Sequence, residues 1–184
     1  MIATTSVRPS PSRPRALLSL VFGTRVSALP TDLALLFARV ALSWIFIYHG
    51  AGKLFGWFNG AGFHRTALYF SATAHLYPGG LFALIGGVIE FGGGIALAFG
   101  LASRLAGVAI FGDMVMAMIT VSWMNGINSE TPTPGYELNL ALGVLALVVA
   151  FLGAGRFSFD AVLGRSLRSS SRRDSASQPV VAED

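Results

Sequence analysis

Six ionisable residues stand within or beside long apolar stretches of this chain: Arg39, His49, Lys53, Glu90, Asp113 and Glu137. Such groups are costly in hydrocarbon, so in a membrane protein they usually face the bundle interior, pair with one another and mark a pathway or a site. Acids mixed with Lys, Arg and His against an apolar wall can exchange protons or hydrogen-bond a polar headgroup. Two groupings follow from their positions. Arg39, Glu90 and Asp113 read as an intramembrane charge network, with Arg39 pairing with Glu90 or Asp113. His49, Lys53, Tyr136 and Glu137, with Trp57 nearby, read as a ligand-binding group at the outer membrane edge.

The elements that must position them are four apolar stretches, from about Leu33 to Gly52, Leu81 to Phe99, Leu105 to Trp123 and Leu138 to Gly153. A helix needs roughly 20 mainly apolar residues to cross a bilayer core of about 30 Å, and each stretch is expected to be long enough. Composition agrees: of 184 residues 53% are hydrophobic and only 12% charged, and mean hydropathy is +0.64. The expected fold is all-α, an integral membrane four-helix bundle with a short interfacial helix between spans one and two. The absence of cysteine excludes disulfides, thiolate metal sites and a thiol relay carried by this polypeptide.

Helical spacing orients the acids. Gly86, Glu90, Gly93 and Gly100 share one side of span two, and Ala106, Ala109, Asp113, Ala117 and Thr120 one side of span three. Small residues let membrane helices approach closely, so both acids lie on faces expected to pack against another helix. Alternating helix directions put Glu90 and Asp113 near mid-membrane. Arg39 would start roughly 10 Å above its cytoplasmic end, within side-chain reach of them. His49 and Lys53, one helical turn apart, would meet Glu137 at the outer end. The plainer alternative is that the buried charges are neutralising pairs that fix helix register and do nothing else.

Around this domain, expected over residues 31–162, residues 1–30 form an Arg-, Ser- and Pro-rich flank, and residues 163–184 a disordered tail. An amphipathic helix is expected over Ala16 to Ser27. Its apolar part is short for a signal-peptide core and an indifferent cleavage site follows, while transit peptides share the acid-free composition. Thr31 or Asp32 would cap the first span. The aromatic-rich connection from Phe55 to Gly80 suits a membrane–water interface and should hold a short helix over Gly62 to His75. Gly100 to Arg104 reads as a tight turn, and Asn125 to Gly135 as a polar loop. Arginines concentrated at both ends put both termini on the cytoplasmic side. They suit an anionic lipid surface better than nucleic acid, since no basic stripe with interleaved aromatics accompanies them.

Three histidines, His49, His64 and His75, make no local H-x-x-x-H pair, so no metal site is expected. His64 and His75 would share one helix face at the interface. The Gly86-Gly87 and Gly92-Gly93-Gly94 runs lie in a span with no preceding strand, which fits helix packing rather than a nucleotide loop.

With these residues laid out, the chain resembles the DoxX family of small four-span membrane proteins. The resemblance rests on Arg39, the His49-Gly50-Ala51-Gly52-Lys53-Leu54-Phe55-Gly56 run, Glu90 with its glycine-rich half-span, Gly100-Leu101-Ala102-Ser103-Arg104, Tyr136-Glu137 and Gly153-Ala154-Gly155-Arg156-Phe157-Ser158-Phe159-Asp160. Phe157 and Phe159 stand where the family often has Trp and Leu. The resemblance implies association with quinone-linked oxidoreductase or redox-stress complexes, and its carried-over residues are Arg39, His49, Lys53, Glu90 and Glu137. The expectation is a membrane subunit binding a quinone-like molecule near the outer leaflet, with His49, Lys53 and Glu137 on the headgroup and Trp57 and Phe58 lining the access. No redox cofactor motif is present, so electrons would come from a partner protein or a diffusible donor. The competing readings are a small proton-linked transporter working as a homodimer through Glu90 and Asp113, and a non-catalytic membrane scaffold.

Overall fold

The structure, a computed structural model, describes residues 29–128 and 133–166. The flank with its expected amphipathic helix, most of the expected C-terminal tail and part of the polar loop lie outside the described residues. Helix α1 (Leu29–Phe55) leads through a 3-10 turn (Trp57–Asn59) to α2 (Gly62–Ala72), then α3 (Gly79–Phe99) and α4 (Ser103–Ala117). Helix α4 continues through a π-helical turn (Met118–Ser122) and a 3-10 turn (Trp123–Asn125), and α5 (Glu137–Leu152) follows. A short helical segment covers residues 159–166, and the described residues contain no strand. The fold is all-α.

Three helical runs, Leu29–Phe55, Gly79–Phe99 and Ser103–Asn125, are long and apolar enough to cross a membrane. Helix α5 has 16 residues and measures roughly 24 Å, short of the core thickness. The chain beyond it continues as a loop over residues 153–158 whose polar backbone is held by side chains, as irregular backbone near a membrane must be. Outward positions are large and apolar: Phe37, Trp44 and Phe151 are among the most exposed side chains, as lipid contact requires.

Helices α1 and α3 pack through glycine. A Cβ on Gly50 would fall 2.8 Å from Phe91 Cα, and one on Gly94 would fall 2.9 Å from the Ile47 backbone nitrogen. The two backbones therefore approach as only small residues allow. On the other side, Gly107 lies against Ala146 and Ala150 and joins α4 to α5. Leu42, Phe46, Leu97, Ile110, Met114 and Val149 fill the core between these pairs.

Two expectations about element ends are corrected. Helix α1 is already helical at Leu29, so neither Thr31 nor Asp32 caps it; the buried Asp32 carboxylate instead accepts a hydrogen bond from the Arg156 backbone N–H at 3.0 Å. Helix α2 ends at Ala72, and His75 follows it with φ +54°. His64 and His75 therefore do not share a helix face.

Candidate functional site

Lys53 lies in the last turn of α1, and the close approach of α1 to α3 aims it across the seam. Its Nζ donates to Glu90 Oε1 at 2.7 Å. Glu90, in the middle of α3, is buried. From α4, Asp113 faces Glu90 within hydrogen-bond reach and interacts electrostatically with Lys53. Gly86 makes room for it, since a Cβ there would stand 3.3 Å from Asp113 Oδ1. The small-residue faces of the two helices thus meet around their acids. The Phe70 ring of α2 completes the setting, with its centroid 6.0 Å from Lys53 Nζ.

Lys53, Phe70, Gly86 and Asp113 line a cavity of about 770 Å³ bounded by α2, α3 and α4, with Glu90 behind them and Asn139 of α5 also lining it. Most of the lining is apolar, including Phe70, Phe82 and Met116; Lys53, Asp113 and Thr120 supply polar groups. Large apolar cavities with a few convergent polar groups bind amphipathic small molecules. The π-helical turn after α4 carries Thr120 and Val121 on the wall. Its buried Ser122 accepts a hydrogen bond from Asn139 Nδ2 at 3.1 Å, which ties the turn to α5. Such turns interrupt helices frequently at functional sites, and no periodicity in the sequence signals this one.

Gly112 also lines the cavity, and a Cβ there would meet nothing within 4 Å. Gly112→Leu is therefore expected to fill the cavity without displacing backbone. Removing a helical glycine should raise stability by a few tenths to about 1 kcal/mol. Thermal unfolding of the purified variant in detergent checks this, and a lowered midpoint would show that the space is not open.

Arg39 is placed otherwise than its depth suggested. Its guanidinium donates to the backbone carbonyls of Ala154 at 2.7 Å and Phe157 at 2.8 Å, and Asp160 is the acid whose charge acts on it. The expected pair with Glu90 or Asp113 does not form, and Lys53 takes that place. The reason is geometric: the loop after α5 folds beneath α1 with carbonyls that need donors, while Lys53 reaches Glu90 across a glycine-lined seam.

Among the described residues no hydrogen bond or ion pair joins His49, Tyr136 or Glu137 to Lys53. His49 is exposed on α1 and packs edge-on against Tyr48, with ring centroids 5.4 Å apart. Tyr136 stacks on Trp123 at 5.3 Å. Glu137 is exposed at the start of α5. Trp57 is exposed beside Phe55 and Phe91. Among the described residues no group of three His, Cys, Asp or Glu side chains converges as metal ligands would.

The Gly-x-Gly-Arg-x-Ser-x-Asp run proves to be a latch. Asp160 accepts from the backbone N–H groups of Ala102 at 2.7 Å and Ser103 at 2.9 Å. It caps α4 from 57 residues away and satisfies donors that the first turn leaves free. Ser158 Oγ donates to Gly155 O at 2.7 Å, while Arg156 forms an ion pair with Asp32 at 3.1 Å. Gly100, with φ +64°, ends α3 and lies under Arg39 and Ser158, where no side chain fits.

Comparison with known proteins places these features in context. The DoxX family model matches residues 34–123, the stretch that carries Arg39, Lys53, Glu90 and Asp113. The inner membrane protein YqjF of Escherichia coli (strain K12) is 29% identical over 136 residues, covering 73% of this chain and 95% of the relative. No solved structure matches at comparable significance.

Proposed function

We propose that this chain, which belongs to the DoxX family of integral membrane proteins, is the membrane subunit of a quinone-linked redox or redox-stress system and binds a quinone-like molecule in the cavity beside Lys53 and Asp113. The observation that carries the reading is the cavity: about 770 Å³, mainly apolar, with a cation and a carboxyl on one wall. Its volume suits a ring headgroup with part of an isoprenoid tail. Lys53 is partly exposed, at 29% of its side chain, and can donate to a carbonyl oxygen while keeping its bond to Glu90. Electrons would be delivered by a partner protein or a diffusible donor.

Purifying the protein from native membranes and extracting its bound lipids tests the reading. Quinone should copurify with the wild type and be depleted from Gly112→Leu. Absence of quinone from repeated wild-type preparations would remove the proposal. Proton flux in proteoliposomes that depends on Glu90 would then favour the transporter reading.

The proposed orientation is that of an inner-membrane protein with both termini cytoplasmic, warranted by the arginines at both ends. In it, α2 and the end of α1 that carries Lys53 lie toward the outer leaflet. Reporter fusions after residue 165 should read cytoplasmic and fusions near Asn128 external. An external C-terminus would invert the assignment.

A further inference from the structure

One oxygen of the Lys53, Glu90 and Asp113 cluster is unaccounted for. Glu90 Oε1 accepts from Lys53, but Glu90 Oε2 is buried with no hydrogen-bond partner, in a residue only 3% exposed. A buried carboxylate oxygen left without a donor is costly and uncommon. The side chain within hydrogen-bond reach of Glu90 from α4, Asp113, is another carboxyl. Two ionised carboxylates can only accept hydrogen bonds, so they repel each other; a protonated one has an O–H to donate. A single proton on Asp113 therefore removes the repulsion, gives the Glu90 carboxylate a second donor and leaves the cluster neutral: one ammonium, one carboxylate and one carboxylic acid.

Among the described residues, the rest of the cavity supplies no competing charge. From α1 Lys53 faces it, from α2 Tyr69 is the titratable group, from α3 Glu90 stands behind the wall, from α4 comes Asp113, and α5 contributes the uncharged Asn139. Asp113 lines the cavity and is less buried than Glu90, so it is the member through which a proton can enter or leave.

We propose that Glu90 and Asp113 form a proton-binding site that holds one proton between them at neutral pH, with Lys53 balancing the remaining charge, and that Asp113 exchanges this proton with an oxygen in the cavity. In that exchange the carboxylic O–H bond breaks and its electron pair stays on the carboxylate. A new O–H bond forms on the accepting oxygen, and nothing is oxidised or reduced. The site serves a cavity filled with water as well as one holding a headgroup, so it does not stand or fall with the quinone reading.

Infrared difference spectroscopy of the full chain in lipid nanodiscs, with no added ligand and across a pH series, tests the proposal. The wild type should show the C=O stretch of a protonated carboxyl at neutral pH, displaced in heavy water. Asp113→Asn and Glu90→Gln should each remove it, and Asp113→Glu should restore it. Lys53→Met, which takes away the balancing cation, should leave the band in place, because the two carboxyls still share the proton. A wild-type spectrum without such a band at neutral pH would overturn the proposal, as would a band that survives both acid substitutions. Loss of quinone copurification with the band intact would overturn the functional reading alone.

Discussion

Arg39→Leu is expected to destabilise the bundle by on the order of 3 to 5 kcal/mol, the largest effect of any single substitution considered. The guanidinium is 1% exposed and donates to two carbonyls of the loop after α5. A leucine there would strand both carbonyls and take the neighbouring cation from Asp160, the cap of α4. Four segments would loosen together: the start of α1, the turn after α3, the cap of α4 and the closing loop. Chemical or thermal unfolding in detergent measures the loss, and a cysteine placed at the buried position 154 should become reactive in the variant. A midpoint unchanged from the wild type would show that water replaces the guanidinium at little cost.

Lys53→Met should cost about 3 kcal/mol, the lower end of the range for breaking a buried pair, because Lys53 is partly exposed while its partner is not. It leaves Glu90 buried without its cation. Glu90→Gln should cost less, since a stranded Lys53 can turn toward the cavity. The double substitution should recover part of the loss, with a coupling above about 0.5 kcal/mol. Arg39→Leu combined with Glu90→Gln should instead be additive to within about 0.5 kcal/mol, as for sites that share no partner. Coupling between Arg39 and Glu90, and none between Lys53 and Glu90, would reverse the pairing described above.

The partner of Glu90, Lys53 rather than Arg39, is where the sequence misleads, and the cause is specific. Glu90 and Asp113 stand among small residues at helical spacing, and this pattern correctly turned both acids toward a neighbouring helix. Three of the four expected spans were legible for the same reason, length and hydropathy being local properties, while the fourth, α5, is shorter than a full span. Partner choice is not local. Arg39 looked as if it needed a carboxylate, yet guanidinium donors are equally satisfied by carbonyls, and the carbonyls of Ala154 and Phe157 belong to a non-helical loop more than 100 residues away. His49 and Lys53 are four residues apart, but the close contact at Gly50 turns His49 outward while Lys53 crosses the seam. The cavity was illegible, because it depends on how far α3 and α4 separate beneath α2 and on a π-helical turn that no periodicity marks. The role of Asp160 as a distant helix cap is hidden as well, although the residue closes the Gly-x-Gly-Arg-x-Ser-x-Asp run, because the donors it meets lie at least 57 residues away in sequence.

Binding of a short-chain benzoquinone to the purified protein in nanodiscs, followed by quenching of tryptophan fluorescence, tests the central claim most directly. Saturable binding is predicted for the wild type. Gly112→Leu, which fills the cavity, should bind at least about tenfold more weakly, a loss of about 1.4 kcal/mol. His49→Ala should bind as the wild type does. Equal affinity in the wild type and Gly112→Leu, or no saturable binding by either, would contradict the assignment of the cavity beside Lys53 and Asp113 as the ligand site.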